Sequence, residues 1–306
     1  MRLEDLPKRL LILGGGYIAA EFAHVFGAFG AEVTIAVRSG GMLRHLDETV
    51  SEAFTEQAAR QWDLRLDTDV TQITANDDGS VTARLNGPAG PADLEVDAVL
   101  VAIGRTPNTD TLGAAQAGLD LHDDGRLAVD DYQRVLRDGA PVEGLWSLGD
   151  ASSDYQLKHV ANHEAKVVAH NLLHPEELRA SDHRFVPAAV FSHPQAASVG
   201  MTEEQALAHA DATGAAIVTA VQHYGSTAYG WAMEDVTGFV KIIAEQQTGR
   251  ILGAHILGHE ASMIIQPVIQ AMSFGLDAQT MARGQYWIHP ALTEVLENAL
   301  LNLKTD

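Results

Sequence analysis

The sequence predicts an α/β protein whose C-terminal part is an α+β domain with an antiparallel sheet. Residues 9–38 contain a short apolar run, three glycines, a helical pattern and a second β-branched run. This order is typical of a strand, a helix and a second strand. From about residue 182 the sequence changes to alternating β-rich runs, and two helical segments follow at residues 260–276 and 290–303.

Composition limits the classes of function. The 306 residues are 46% hydrophobic, which is enough for a large core and for two or three domains. The net charge of −21 disfavours nucleic acid and anionic membrane as partners, because both require a positive surface. No cysteine is present, so these residues form no disulfide, thiolate metal site or thiol nucleophile.

The chain has neither a run of 18 apolar residues nor a basic segment followed by an apolar leader. We therefore expect no membrane span and no export signal, and the cytoplasm is the default compartment.

The glycine turn after the first apolar run predicts a Rossmann-like dinucleotide site. Gly14 permits a tight turn, Gly16 lets the backbone approach a pyrophosphate, and the small Ala19 allows the helix to pack closely on the strand. In the helix, the apolar spacing falls on Ile18, Phe22, Val25 and Phe26. A turn with no ligand is the alternative, since a glycine pattern alone is weak evidence.

The end of the second strand bears on which dinucleotide is bound. A ribose 2′-hydroxyl favours an acidic acceptor, whereas a 2′-phosphate favours arginine. Here Val37 and Arg38 occupy the expected place of the acid, and Arg44 follows. The pattern favours NADPH over NADH, although two solvated surface arginines would give the same sequence.

The middle of the chain predicts two further strands. Residues 97–108 indicate another buried strand, which ends in Gly104. Residues 144–173 indicate a strand with Asp150 at its tip, followed by a helix that begins near Leu157. A carboxylate at the end of a parallel strand can accept from a ribose or ribityl hydroxyl, but spacing equally allows a loop or cap residue.

The C-terminal part contains an unusual histidine. Residues 238–258 predict two antiparallel strands joined by a tight turn, and Pro267 is expected to bend the helix that follows. An apolar face on these helices fits either a dimer surface or core packing. His289 precedes a proline and Glu294 follows five residues later, a spacing that indicates an oriented acid/base pair. The other thirteen histidines lack such spacing and are interpreted as surface or core residues.

These motifs together resemble the flavoprotein (pyridine nucleotide) disulfide oxidoreductases. The resemblance is carried by GGGYIAAE, AIGRTPN, GLWSLGD with LKHVA, FSHPQAASVGMTEEQA, GFVKIIAEQQTGRILGAHILG and IHPALTEVLE, and it covers essentially the whole chain. Within the family, YIAAEFAHVF and YWIHPAL are most similar to mycothione reductases. The resemblance implies NADPH and FAD as cofactors, a low-molecular-weight, mycothione-like disulfide as substrate and a homodimer.

The resemblance also implies a domain order and residue roles. Residues 1–107 would bind NADPH, 108–181 would be the central segment of an FAD-binding domain, and 182–306 would form the dimer interface. The implied residues are Gly14, Gly16 and Ala19 at the pyrophosphate, Arg38 and Arg44 at the 2′-phosphate, Tyr17 and Ile18 at the nicotinamide, Gly104 at a cofactor, Gly149 and Asp150 at the ribityl chain, and Lys158 and His159 near the flavin.

Three implied roles concern proton transfer and the flavin. His289 and Glu294 would protonate the leaving thiolate of the substrate in the active site of the other subunit. Glu21 would pair with a lysine near the flavin, which here has to come from elsewhere. Lys158 and His159 replace a threonine and a proline of the family pattern, so that only a backbone contact is expected there.

The sequence departs from the family at its start. The family begins with a flavin-binding segment that has its own glycine motif and two redox cysteines, whereas Met1 here directly precedes the NADPH domain. We therefore expect a C-terminal part that is inactive alone. The alternatives are one part of a split reductase, or a non-catalytic NADPH-binding dimerisation module.

Overall fold

The computed structural model describes residues 3–305, which divide into two compact units. One unit combines residues 1–103 with residues 187–306, and the other consists of residues 104–186. Met1, at which the expected truncation lies, is outside the described residues. The fold is mixed α/β, as predicted, with one parallel sheet and three antiparallel sheets in the described part of the chain. The three-domain division stays a prediction.

The first stretch of the larger unit contains the predicted strand, helix and strand. Its parallel sheet has the order β3-β2-β1-β7, and an antiparallel sheet β4-β5-β6 follows the polar region. The elements are β1 (Arg9–Leu13), α1 (Tyr17–Ala28), β2 (Glu32–Ala36), α2 (Glu48–Gln61), β3 (Asp63–Arg65), β4 (Asp69–Ala75), β5 (Val81–Gly87), β6 (Gly90–Val96) and β7 (Ala98–Val101).

Helix α1 packs on the sheet through small residues. Its buried residues are Ala19, Ala20, Ala23 and Phe26, whereas the predicted apolar positions Ile18, Phe22 and Val25 are only partly buried. The predicted helix is confirmed, and Phe22 packs against the same core cluster as the buried Phe26. Close approach of a helix to a parallel sheet requires small side chains, so the alanines occupy the contact.

Strand β7 differs from the prediction of a buried strand that ends in glycine. It ends at Val101, before Gly104, and Val101 is 59% exposed. Ile103 is likewise 65% exposed. The strand pairs only with β1 in the described residues, so one of its edges has no backbone partner there.

The smaller unit contains a hairpin and a long helix. Its elements are β8 (Arg134–Arg137), β9 (Ala140–Trp146) and α3 (Lys158–Leu173). The helix begins as predicted after Leu157. Strand β9 pairs antiparallel with β8, so the expectation that Asp150 follows a parallel strand is wrong for the described residues. Three residues separate β9 from Asp150, which lies in a short 3-10 turn, Gly149–Ala151.

The second stretch of the larger unit forms the predicted antiparallel sheet, in the order β10-β11-β14-β13-β12. Pro267 lies in the first turn of a second helix, because the predicted bent helix is divided at Ile265. The elements are β10 (Ala188–Val190), β11 (Gln195–Gly200), α4 (Glu203–Thr213), β12 (Ile217–His223), α5 (Ala228–Ala232), β13 (Phe239–Glu245), β14 (Ile251–Gly258), α6 (Ala261–Ile264), α7 (Gln266–Phe274), α8 (Ala278–Arg283) and α9 (Thr293–Leu301).

The two stretches of the larger unit share one hydrophobic core. Leu10 and Ile12 of β1 belong to the same buried cluster as Phe239 of β13 and Leu257 of β14. Burial of apolar surface contributes about 25 cal/mol per Å², so this shared cluster stabilises both stretches as one body.

Candidate functional site

The glycine turn lies at the predicted junction between strand β1 and helix α1. Gly14 has a φ of 119°, and a Cβ added there would lie 2.3 Å from the carbonyl oxygen of Ala102. A Cβ added at Gly16 would meet no atom within 4 Å. Gly14 is therefore needed by the fold, whereas Gly16 leaves an open space next to the backbone.

The N-terminus of helix α1 can receive an anion. Gly16 is its N-cap residue, no side chain caps the helix, and its first turn contains no acidic residue. The backbone N–H groups of a first helical turn lack partners within the helix and carry a partial positive charge. Ala19 is fully buried beneath this turn. The open space at Gly16 and the uncapped helix thus fit a pyrophosphate.

The loop between β2 and α2 contains the two predicted arginines. Arg38 and Arg44 are both exposed, and neither guanidinium has a hydrogen-bond or ion-pair partner among residues 3–305. The loop is attached to the glycine turn, because the Leu43 N–H donates to the Gly15 carbonyl oxygen at 2.7 Å. Two unpaired cations therefore project from a loop that is anchored at the turn.

Tyr17 and Ile18 open helix α1, and both are partly buried. The Tyr17 ring lies against the His45 ring, with 4.4 Å between their centroids. Burial raises the pKa of the Tyr17 hydroxyl to about 12, and the charge of Glu21 adds to this rise. The phenol is therefore neutral at physiological pH.

Glu21 has a backbone partner in this structure. Its Oε1 accepts a hydrogen bond from the Phe191 N–H at 3.0 Å. No lysine pairs with Glu21 among the described residues. The lysine that the resemblance implies is thus not supplied by this part of the chain.

His289 and Glu294 form the predicted contact. The His289 Nδ1 lies 2.7 Å from Glu294 Oε1, and Glu294 Oε2 accepts a hydrogen bond from the Ala291 N–H at 3.3 Å. The carboxylate is 18% exposed and the imidazole 68% exposed. A carboxylate that accepts from Nδ1–H fixes the tautomer, which leaves Nε2 to exchange a proton with a ligand.

Gly149 and Asp150 lie in the smaller unit, each with a protein partner. Gly149 has a φ of 65°, and its N–H donates to Glu164 Oε2 at 2.6 Å. The Asp150 Oδ2 accepts from the Arg105 guanidinium at 2.9 Å, and Asp150 is 44% exposed. Asp150 therefore keeps one oxygen, Oδ1, for a hydroxyl group.

Glu164 was missed by sequence reasoning. It is 1% exposed, and its Oε1 lies 3.0 Å from His183 Nε2. It occupies the buried face of helix α3 together with Val160, Val167 and Val168. An acid at an apolar position of a helix is a signal that could have been detected, because buried carboxylates require specific partners.

The remaining predicted cofactor residues are exposed. Lys158 is the first residue of α3, and its Nζ donates to Asn162 Oδ1 at 2.5 Å. His159 follows it on the same turn, and no side chain caps this helix. Gly104 has a φ of 140°, and a Cβ added there would meet no atom within 4 Å.

Within residues 3–305, no group of three or more His, Cys, Asp or Glu side chains is arranged to hold a metal ion. No helix in this part of the chain is both long and apolar enough to cross a membrane.

Comparison with solved structures identifies similar folds. The reductase described as "HOCl-induced flavoprotein disulfide reductase RclA from Escherichia coli" superposes with a TM-score of 0.83 at 30% identity, over 98% of this chain and 66% of that chain. LpdA from Mycobacterium tuberculosis gives a TM-score of 0.82 at 25% identity, over 98% and 62% respectively.

Comparison of sequences gives two similar relatives. A mycothione reductase of Mycobacterium tuberculosis (strain ATCC 25618 / H37Rv) is 52% identical over 308 residues, which cover 99% of this chain and 64% of the relative. A dihydrolipoyl dehydrogenase of Synechocystis sp. is 33% identical over 302 residues, or 98% and 63%. The chain thus spans less than two thirds of the length of these relatives.

Two family models match the chain. Residues 1–165 match "Pyridine nucleotide-disulphide oxidoreductase", and residues 186–300 match "Pyridine nucleotide-disulphide oxidoreductase, dimerisation domain". Together with the 52% identity, these matches confirm the resemblance inferred from the motifs. The chain belongs to the pyridine nucleotide-disulphide oxidoreductase family.

Proposed function

We propose that these residues are the NADPH-binding, proton-transferring and dimerising part of a flavoprotein disulfide reductase that acts on a small, mycothione-like disulfide. The observation that carries this proposal is the His289–Glu294 pair, whose imidazole is 68% exposed on one side and hydrogen-bonded to a carboxylate on the other. Such a pair serves a reaction that needs a proton delivered at the surface of the subunit.

NADPH is the proposed electron donor. Val37 stands where an NADH site would have an acid, while Arg38 and Arg44 project unpaired from the adjacent loop. A hydrogen bond between charged groups contributes roughly 1.5–3 kcal/mol, so two of them favour a 2′-phosphate over a 2′-hydroxyl strongly. Gly14, Gly16 and Ala19 shape the pyrophosphate site, and Tyr17 with Ile18 borders the nicotinamide.

The proposed role of His289 is that of a general acid, which donates one proton to the leaving thiolate and later takes up another. Reduction of a disulfide takes up two electrons and two protons and releases two thiols, so the first sulfur to leave departs as a thiolate that must be protonated. The His289 Nε2 supplies that proton, and Glu294 stabilises the imidazolium through Nδ1–H. General acid catalysis of this kind contributes roughly 10²–10⁴-fold to the rate.

FAD is the proposed second cofactor, and it supplies two-electron transfer between nicotinamide and a dithiol when bound. These residues offer FAD the second oxygen of Asp150 and the start of helix α3 at Lys158, which no side chain caps. The Gly149 N–H already donates to Glu164. We propose that this partial set does not hold flavin tightly without additional residues.

The dithiol is proposed to lie outside these residues, because they include no cysteine. It would come from a preceding segment of the same protein or from a second polypeptide. The same absence favours the second candidate function, a non-catalytic NADPH-binding dimerisation module. In either case the 306 residues alone do not reduce disulfides.

A homodimer is the proposed assembly, and the cytoplasm the proposed compartment, since cytosolic thiols are kept reduced by such enzymes. The match to a dimerisation domain supports the dimer. Large apolar side chains are exposed within this part, and we propose that a partner subunit covers some of them. They include Trp231 (75%), Met263 (67%), Phe274 (77%), Tyr286 (103%) and Ile288 (74%).

Two measurements on the purified protein test the proposal. A fluorescence titration is expected to give a dissociation constant at least about tenfold lower for NADPH than for NADH, which corresponds to about 1.4 kcal/mol. With NADPH and a mycothione-like disulfide, the purified chain is expected to release no thiol. Equal affinities would contradict NADPH as the donor, and steady thiol release would contradict an external dithiol.

A further inference from the structure

A fully buried ion pair connects the nucleotide-binding stretch to the antiparallel sheet of the same unit. Lys241 of β13 is 2% exposed and Asp47 is 0% exposed, and the Lys241 Nζ lies 2.7 Å from Asp47 Oδ1. The ammonium also donates to Thr49 Oγ1 at 2.9 Å and lies 2.6 Å from Glu203 Oε2. All three of its hydrogens therefore have acceptors, as a buried charge requires.

Asp47 connects the starts of two helices through its carboxylate. It is the N-cap residue of α2, where Oδ1 accepts from the Thr49 N–H at 3.1 Å. Its Oδ2 accepts from the N–H of Glu203, the first residue of α4, at 2.9 Å. Burial alone would raise the pKa of Asp47. The hydrogen bonds from Lys241 and Glu203 lower it by more than burial raises it, so the pKa lies below its usual value.

Helix α2 in turn holds the arginine loop. The Ser51 hydroxyl donates to the Met42 carbonyl oxygen at 2.7 Å, and the Met42 N–H donates to Thr55 Oγ1 at 2.9 Å. The Leu46 N–H donates to the Leu43 carbonyl oxygen at 2.9 Å. Met42 and Leu43 are fully buried, which fixes the backbone on one side of Arg44.

A left-handed residue makes this loop dependent on its anchors. Leu43 has a φ of 53°, a conformation that non-glycine residues adopt at a cost and only where the surroundings enforce it. Its N–H reaches the Gly15 carbonyl oxygen in the glycine turn. The loop is thus held at one end by the turn and at the other by α2, whose start is held by Lys241.

We propose that Lys241 is a positioning residue for nucleotide selection. It lies on the sheet of the dimerisation part and, by anchoring the start of α2, keeps the loop in the conformation that presents Arg38 and Arg44 to a 2′-phosphate. This inference rests on the proposed NADPH function. Lys241 lies 194 positions from Asp47 in the sequence. We thus infer that it contributes to recognition of the 2′-phosphate without contacting it.

The test compares Lys241→Met with the wild-type protein. If the loop adopts its binding conformation for only a fraction of the time, the apparent dissociation constant for NADPH is the intrinsic constant divided by that fraction. A loop that is in this conformation for about one-tenth of the time therefore weakens binding about tenfold. We expect the affinity for NADPH to fall by about this factor. The affinity for NADH should fall by a smaller factor, because NADH lacks the 2′-phosphate that the loop arginines bind and shares with NADPH only the glycine turn to which Leu43 is bonded.

The matched control is Val240→Ala, in the same strand. Val240 is fully buried and contacts neither Asp47 nor the loop through a hydrogen bond, so its truncation destabilises the sheet without releasing α2. The NADPH-to-NADH affinity ratio should be unchanged in this variant. A ratio that falls equally in both variants would overturn the positioning role, because general destabilisation would then explain it.

Lys241→Met leaves the buried Asp47 charge unpaired, so a second variant keeps the test usable if the first does not fold. Lys241→Met combined with Asp47→Asn makes the pair neutral, and asparagine is as good an N-cap as aspartate. The same loss of NADPH preference is expected, since the contacts of the ammonium with Thr49 and Glu203 are gone.

Hydrogen exchange provides a local measurement. The amides of Leu43 and Leu46 should exchange faster in the Lys241 variants than in Val240→Ala at matched stability. A wild-type protein that does not prefer NADPH would refute the proposed function. A Lys241 variant that keeps both the wild-type preference and the wild-type exchange rates would instead refute the positioning role alone.

Discussion

The His289 Nδ1 lies 2.7 Å from Glu294 Oε1, while the imidazole is 68% exposed. The pair therefore has a fixed inner nitrogen and an accessible outer nitrogen. Its geometry depends on a single loop and the first turn of helix α9, because the partners of Glu294 lie within five residues of it.

Glu294→Ala should change the tautomer of His289 without unfolding the protein. Loss of the acceptor releases Nδ1–H, so ¹⁵N NMR of the imidazole should show the Nε2–H form, which predominates in free imidazole side chains. The unfolding free energy should fall by about 1–3 kcal/mol, because the mostly buried carboxylate also accepts from the Ala291 N–H. Glu297→Ala in the same helix is the control, and an unchanged His289 spectrum in Glu294→Ala would contradict the pairing.

Arg38→Ala combined with Arg44→Ala should remove the preference for NADPH. Each lost charge-assisted contact reduces the affinity for the 2′-phosphate by roughly ten- to a hundredfold, while NADH binding remains. Fluorescence titration with both nucleotides measures the effect. Arg60→Ala is the control, because Arg60 pairs with Glu56 on the surface of α2. NADPH affinity retained in the double variant would refute the role of the two arginines.

Gly14→Ala and Gly16→Val should separate folding from binding. The Cβ added at Gly14 lies 2.3 Å from the Ala102 carbonyl oxygen and the φ there is 119°, so we expect a loss of at least about 1–3 kcal/mol of stability. Valine at position 16 fills open space but is a poorer N-cap than glycine, so stability should fall by only about 1 kcal/mol while both NADPH and NADH lose affinity. Normal nucleotide binding by Gly16→Val would show that the open space is not the pyrophosphate site.

The purified protein should lack flavin. Since Asp150 is paired with Arg105 and the Gly149 N–H with Glu164, few groups remain to hold FAD. The visible absorption spectrum should show no flavin band, and added FAD should be removed by gel filtration. A preparation that is yellow as isolated would overturn this prediction.

Stability should fall as the pH decreases below about 6.5, the usual pKa of histidine. His255 is 1% exposed, its Nε2 lies 2.9 Å from the Met201 carbonyl oxygen, and its Nδ1 has no partner in the described residues. Burial lowers the pKa of His255, and Lys241 lowers it further, while Asp47 and Glu203 act in the opposite direction.

The sign of this effect follows from proton uptake. Below pH 6.5 the unfolded chain protonates His255 while the folded protein does not, so stability decreases by up to about 1.4 kcal/mol per pH unit until the lower folded pKa is reached. Denaturant unfolding of wild type and His255→Gln between pH 7.5 and 5 measures the difference. Parallel pH profiles would contradict the buried, neutral imidazole.

The parts of the site that are formed by residues close in sequence were predictable from local sequence patterns. The turn from Gly14 to Gly16 and the pair His289–Glu294 are set by spacings of two and five residues, and both occur as expected. The antiparallel sheet was also predictable, because β-rich runs and a tight turn specify adjacent strands.

Long-range partners were not predictable from one sequence. The sequence around Asp47 indicates an ordinary helix cap and does not reveal its pairing with Lys241, and the sequence around Asp150 does not reveal its pairing with Arg105. The antiparallel pairing of β9 with β8 was not predictable either, because the sequence of one strand does not specify whether its neighbour is parallel or antiparallel. Periodicity correctly predicted helix α1 but did not show that its alanines would be buried most completely, which follows from close packing on the sheet.

The shared core of the larger unit has a consequence for biosynthesis. Leu10 packs in one cluster with Phe239 and Leu257, which are synthesised more than 200 residues later, so the segment around Leu10 leaves the ribosome with part of its apolar surface uncovered. Translation proceeds at roughly 5–20 residues per second, which delays the covering strands by many seconds. During that interval the nascent chain is a natural client for chaperones, and the order of synthesis becomes part of how this protein reaches its native state.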